Sequence, residues 1–573
     1  MKLLTWSAAG LAFLALSSCD AKKAEPAAAA PAAPAAPAGP VGAKLTTSPD
    51  ITAADLAARD KELADDKYEG RGPGTLTGEA AAQWIADEMK RAGMEPGGPN
   101  GSWFQEVGMV AQTVDPDTSS LKITNGKDKT WDLKDGPDAV YITKAQDKKT
   151  VSFADTDMVF VGYGVNAPEE KWNDYAGLDA KGKTVVMFVN DPGFITNDPK
   201  LFKGKAMTYY GRWTYKFEEA SRQHATAALI IHETGPASYG WNVVESSWTG
   251  EQDDLVRKDA GADQALLQGW ISLDKAREMF AAAGLDIDKM RAAANKRGFK
   301  PVVMKGLKAS ATINQSVEQR KSRNVIGTIK GATHPDEHVL LMAHWDHLGK
   351  CTPVNGDGIC NGAVDNGTGV STILDIGEKI AAGPKPQRSV DIMAVTLEES
   401  GLLGSAYYAD NPVVPLNKIV GGINLDALSP DGQSKDVVVV GYGSSQMEDI
   451  LKTVLAGQNR TISPDPKPEA GHFYRSDHIS LSKKGVPMLY LNSGTDLVKG
   501  GKAAGEAFEK AYEEKDYHQP SDQFHADWDW SGIEQDAKAA YEVANQLANS
   551  TEWPAWYPGN EFKAIREASL KGK

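Results

Sequence analysis

Between residues 338 and 547, short apolar runs alternate with helical periodicities, and this alternation restricts the fold more than any other feature. Residues 338–342, 392–395, 420–425, 437–440 and 488–491 read as buried strands. Between the first two, Val370, Ile373, Leu374, Gly377, Ile380 and Ala381 keep helical spacing. Ile533, Ala537, Ala540, Tyr541, Ala544 and Leu547 mark a long amphipathic helix further on. Strands that are apolar throughout and separated by helices predict an α/β fold, a three-layer domain with a mostly parallel central sheet. In such sheets ligands sit beyond the C-terminal ends of the strands.

Three of these runs lead into ionisable residues. The first enters Ala343-His344-Trp345-Asp346-His347, the second Glu398-Glu399 and the third Asp426. Asp365 lies just ahead of a helix in Val364-Asp365-Asn366-Gly367-Thr368-Gly369, and His518 lies in Tyr517-His518-Gln519-Pro520-Ser521-Asp522. Strand alternation makes His344 and Asp346 point the same way, which suits a ligating imidazole held by a carboxylate. Carboxylates at buried strand ends are costly unless positive charge sits among them. Two divalent cations supply that charge, and mixed nitrogen and oxygen donors suit zinc. His347 and His472 are expected to be non-ligands.

These segments, together with Glu398-Glu399-Ser400-Gly401-Leu402-Leu403-Gly404-Ser405, Asn424-Leu425-Asp426 and Ser476-Asp477-His478, resemble those of the di-zinc aminopeptidases of the aminopeptidase Y type. Relatives of that family include glutamate carboxypeptidase II, glutaminyl cyclase and the transferrin receptor. The resemblance implies two Zn²⁺ per chain: Asp365 bridges them, His344 and Asp426 complete one site, and Glu399 and His518 the other. It implies Glu398 as general base and Asp346 as the group orienting His344; proximity in sequence alone points to Asp522 as a support for His518. The implied activity is that of a metallo-exopeptidase acting on peptides, foremost an aminopeptidase. The alternatives are a carboxypeptidase of the glutamate carboxypeptidase type and a non-catalytic receptor on the same fold. The short gap from Glu399 to Asp426 disfavours the carboxypeptidase/deacylase group, whose lid is inserted there. Some family members place a Tyr before the Ser-Asp-His segment to hold the oxyanion; Tyr474 is available here, while Arg475 suits either a substrate carboxylate or a plain surface.

A chain of 573 residues exceeds one ordinary core. Strand-like runs at 158–164, 182–189 and 227–231, with a helical stretch near 215–223, read as an inserted unit. Within it, Trp172-Asn173-Asp174-Tyr175-Ala176-Gly177-Leu178-Asp179 running into Gly182-Lys183 resembles the protease-associated domain, a β-rich insert read here as a cover or substrate guide. The helix near 78–93 ends at Gly93, placed for a left-handed cap. Lys2, the apolar stretch 3–16 and Leu16-Ser17-Ser18-Cys19 resemble a bacterial lipoprotein signal cleaved before a lipidated Cys19. The expected organisation is a signal peptide at 1–19, an Ala/Pro-rich tether at 20–45, a zinc peptidase domain at 46–125 and 310–573, and the insertion at 126–309. That places the protein in the bacterial cell envelope, on the periplasmic side, with a lipid anchor in the membrane. In an exported chain Cys351 and Cys360 are expected to pair, across turn-rich sequence. A net charge of −15 argues against nucleic-acid partners. Nothing in the sequence speaks to oligomeric state.

Overall fold

The computed structural model describes residues 39–126 and 129–571. The expected signal peptide, Cys19 and the first part of the tether lie outside the described residues.

Alternation along the strands decides the architecture. In the strand His334–His344, Val339, Leu341 and Ala343 enter one core, and Leu340 and Met342 enter the other. The strand Arg388–Val395 divides the same way, with Val390, Ile392 and Ala394 opposite Met393 and Val395. Both faces are apolar, so both are covered. Helices Ala53–Leu63, Leu76–Arg91, Thr368–Ala382, Met447–Gly457 and Ser531–Ala548 bring Leu56, Ile85, Ile373, Leu451 and Ile533 to the first face. Helices Leu403–Asp410 and His478–Ser482 bring Tyr408 and Leu481 to the second. Four strands run parallel in the order Arg388–Val395, His334–His344, Ile419–Leu425 and Met488–Ser493. Their C-terminal ends therefore share one edge. Antiparallel neighbours flank them: Val302–Ile329 on one side and Asp436–Val440 on the other.

Val302–Ile329 is a single strand of 28 residues. Its end pairs with Arg388–Val395 and its middle with Phe104–Val114. Its beginning lies between Ser120–Asn125 and Thr150–Phe160 in a second sheet. Polar residues dominate it, which hid it from the periodicity reading, yet Leu307, Ala309, Ala311 and Ile313 are all buried in a core. The second sheet continues in parallel through Thr150–Phe160, Thr184–Phe188, Ala227–Ile231 and Leu267–Ile271. It has a core of its own on each face, one around Phe160 and Phe188, the other around Val185 and Trp270.

Residues 39–45, read from sequence as the end of the tether, are packed instead. The Trp84 indole donates to the Ala43 carbonyl at 2.9 Å, and the Ala43 amide donates to Glu62 Oε1 at 2.8 Å. A Cβ on Gly42 would stand 2.0 Å from the Trp84 ring, so this approach requires glycine. The helix Leu76–Arg91 is capped by the Thr75 side chain, which accepts from the Gly78 amide, and Gly93 follows at φ +87°. Cys351 and Cys360 form a disulfide across the hairpin Gly349–Val354 and Asp357–Cys360. Among the described residues no helix is long and apolar enough to cross a membrane.

Candidate metal centre

The predicted ligands converge at the shared C-terminal edge of the parallel strands. His344 is the last residue of its strand, and its Nδ1 meets the main-chain carbonyl of Asp346 at 3.1 Å. A proton held there leaves Nε2 with a free lone pair. That Nε2 lies 3.1 Å from Asp426 Oδ1 and 3.2 Å from Asp365 Oδ1. Asp426 directly follows the strand Ile419–Leu425, and its second oxygen accepts from the Ser476 hydroxyl.

Asp365 sits in the turn Ala363–Gly367, ahead of the helix Thr368–Ala382. Its Oδ2 lies 3.4 Å from His518 Nε2, which in turn is 3.1 Å from Glu399 Oε2. The two oxygens of Asp365 therefore face two different imidazoles. Glu399 Oε1 meets His347 Nδ1 at 2.6 Å. Three sets of donors each fall within 4.8 Å: His344 with Glu398 and Glu399, His344 with Asp365 and Asp426, and His347 with Asp365 and Glu399. His347, expected to be a non-ligand, is thus part of the cluster, and its Nε2 is buried without a partner. The strand stops at His344, and the chain turns so that His347 comes back towards Glu399. His472 lies apart, 3.4 Å from Asp465.

The same end of the strand corrects the role expected of Asp346. Alternation does not extend past His344, and the Asp346 carboxylate does not hold that imidazole. Its two oxygens accept from the amides of Glu398 at 3.1 Å and Glu399 at 3.4 Å. Leu397 breaks the preceding strand at φ +58°. Asp346 thereby fixes the turn from which both glutamates project. Asp522 likewise supports Asp365 and not His518, accepting from the amides of Val364 at 2.8 Å and Asp365 at 3.1 Å. Tyr474 is not in the centre; it is buried and its hydroxyl donates to Glu561 at 2.8 Å. Arg475 is exposed, with Tyr517, Glu398 and Tyr490 among its electrostatic neighbours.

Burial pushes the Glu398 carboxyl well above its usual range, against the pull of His344 and with added repulsion from Asp426 and Glu399. Burial also acts on Asp365, but hydrogen bonds with His344 and His518 more than offset it and hold that carboxyl well below normal. At Glu399 burial is outweighed by His518 and His347, and the carboxyl falls to about 2. Among the described residues, no Lys or Arg forms an ion pair with Asp365, Glu398, Glu399 or Asp426. A buried set of carboxylates and imidazoles, with His347 Nε2 left unpartnered and His518 Nε2 set between the carboxylates of Asp365 and Glu399, fits divalent cations.

Arg71 carried no signal in the sequence. It is fully buried and donates from Nε to the Trp345 carbonyl at 2.8 Å, and from its terminal nitrogens to Leu63 at 3.0 Å, Asn361 at 2.5 Å and Gly362 at 2.7 Å. It ties the loop after His344 to the loop before Asp365. Tyr517, visible in sequence only as the neighbour of His518, stacks on that ring with centroids 3.9 Å apart.

Residues 324–544 match the model of Peptidase family M28. Leupeptin-inactivating enzyme 1 of Streptomyces exfoliatus is 30% identical over 186 residues, 31% of this chain and 39% of that protein. Leucine aminopeptidase 2 of Arthroderma otae is 29% identical over 227 residues, 36% of this chain and 43% of that protein. The chain thus spans about two fifths of the length of these relatives. An aminopeptidase from Aneurinibacillus sp. strain AM-1 superposes with a TM-score of 0.48 at 17% identity, covering 88% of this chain and 95% of that one. The segment that matches this family model carries every residue of the metal centre.

Proposed function

We propose that the protein is a zinc-dependent exopeptidase, acting as an aminopeptidase that removes N-terminal residues from peptides, with two zinc ions per chain. The observation that carries this reading is the division of Asp365, whose oxygens lie 3.2 Å from His344 and 3.4 Å from His518. One zinc would be held by His344, Asp365 and Asp426, and the other by Asp365, Glu399 and His518, with His347 on the far oxygen of Glu399. Bound zinc supplies a Lewis acid for the scissile carbonyl and lowers the pKa of water to about 7. Glu398 takes a proton from the attacking water and returns it to the leaving amine. Its high proton affinity, set by burial, suits that task. Asp346 holds the Glu398 and Glu399 amides and so keeps the two carboxylates in separate directions.

The inserted unit is, on this reading, a protease-associated domain that guides substrate to the centre. Export, lipidation at Cys19 and residence on the periplasmic face of the bacterial envelope belong to the same proposal. Arg475, exposed beside Glu398, favours one second reading, a carboxypeptidase of the glutamate carboxypeptidase type. Mass spectrometry of an unbiased peptide library after digestion separates the two by the end that is trimmed. Glu398→Gln is expected to keep its metal and lose about 10²- to 10⁴-fold in rate; full activity in that variant refutes the assignment.

A further inference from the structure

Two adjacent acids on one edge strand are held in opposite ways. The strand Glu251–Leu255 belongs by sequence to the insertion, yet it pairs antiparallel with Phe104–Val114 and so extends the sheet of the catalytic unit. Alternation turns Asp253 and Leu255 to one face and Asp254 to the other. Asp254 is buried, with Lys144 at 3.4 Å and Arg257 at 3.1 Å to balance its charge. Asp253 forms no ion pair with a described Lys or Arg. Its Oδ2 accepts from the Ser400 hydroxyl at 2.9 Å, and its Oδ1 is buried without a partner. Ser400 directly follows Glu398 and Glu399. The turn they share is closed by the Glu398 carbonyl, which accepts from the amides of Gly401 and Leu402 at 2.9 Å each. Asp346 grips the two glutamate amides. The insertion holds the same turn at its two ends: Leu255 packs on the cluster of Val107, Met109 and Leu397, and Asp253 bonds Ser400.

A carboxylate with one bond and one dry, unpartnered oxygen adds little to stability, because the lost hydration is not replaced. Such exceptions gather at functional sites. A general base has to stand within hydrogen-bond reach of the proton it takes, and a displacement of about 1 Å costs about 10²-fold in rate. We propose that Asp253 is a positioning residue of the reaction: through the Ser400 hydroxyl it fixes the turn from which Glu398 meets the attacking water. The insertion then takes part in catalysis itself, beyond covering the centre or guiding substrate to it. This rests on the reading of Glu398 as general base above.

The test uses zinc-loaded full-length protein and a neutral peptide taken from the library digestion, with kcat normalised to the zinc content of each variant. Ser400→Ala and Asp253→Leu should each lower kcat and kcat/KM together by about 10- to 100-fold, as expected for an interaction that acts in the transition state. Ser400→Thr keeps the hydroxyl and Asp253→Asn keeps an acceptor oxygen, so each should stay within about threefold of the parent. The double variant Asp253→Leu/Ser400→Ala should be no slower than the slower single variant, because all three lose the same contact. Asp254→Asn, on the opposite face of the strand, should lower the melting point and leave kcat unchanged. An unchanged kcat in Ser400→Ala, or a change confined to KM, overturns the proposal. A kcat in Asp254→Asn or in Asp253→Asn as low as that of Asp253→Leu does so too, reducing Asp253 to a structural part of its strand. A zinc-loaded parent that hydrolyses no peptide overturns the exopeptidase reading itself, and this inference with it.

Discussion

Replacing Arg71 with methionine tests whether the N-terminal segment holds the metal centre in shape. The side chain makes four hydrogen bonds to carbonyls, those of Trp345, Leu63, Asn361 and Gly362. Bonds from a charged donor contribute about 1.5–3 kcal/mol each, roughly 6–12 kcal/mol in gross terms. Methionine no longer has to be desolvated as a cation, which returns several kcal/mol. The net loss is expected to be about 3–5 kcal/mol, a fall in Tm of about 3–5 °C for a folded unit of this size. Because three of the four carbonyls flank His344 and Asp365, the loss should extend to metal binding. Differential scanning calorimetry with saturating zinc and after chelation reads both effects. Arg71→Met should melt lower in each condition and gain less from zinc than the parent. A melting point within about 2 °C of the parent, with an equal gain from zinc, refutes the clamp.

Three other predictions follow from particular residues. His478 lies between Phe473 and Tyr490 with both ring nitrogens unpartnered, and burial lowers its pKa to about 3. Between pH 3 and about 6.5 the unfolded chain binds this proton and the native one does not, so the contribution is present above 6.5 and lost as pH falls. The parent should lose about 1.4 kcal/mol more than His478→Gln between pH 7.5 and 5.5 in urea titrations. Cys351 and Cys360 close a short loop, so Cys351→Ser should cost about 2–3 kcal/mol, measured as a lower urea midpoint under oxidising conditions. Tyr474→Phe should leave kcat for a neutral peptide unchanged, because its hydroxyl serves Glu561; a fall of tenfold or more would return it to the oxyanion role.

Much of this centre was legible because it follows strand physics. Apolar runs that end in His344, Glu398-Glu399 and Asp426 announce both the sheet and the edge at which ligands meet. What escaped the sequence lies where regular geometry stops. Asp346 was assigned to His344 by extending an alternation that ends two residues earlier, at His344 itself, and the turn after it brought His347 into the cluster instead. Arg71 works through a long side chain that reaches other segments, for which local pattern carries no signal. The strand Val302–Ile329 was hidden by polar residues whose small apolar partners, Ala309 and Ala311, do the burying. The packed residues 39–45 depend on Trp84, a contact between segments about 40 residues apart.

The central claim is a two-metal centre bridged by Asp365, and counting metal in ligand variants tests it most directly. Plasma mass spectrometry of extensively dialysed protein should find about two zinc ions per parent chain. Asp426→Asn should lose one of them and Asp365→Asn should weaken both. A parent chain that retains no zinc or only one, or an Asp365→Asn variant that behaves like Asp426→Asn, would contradict the bridge.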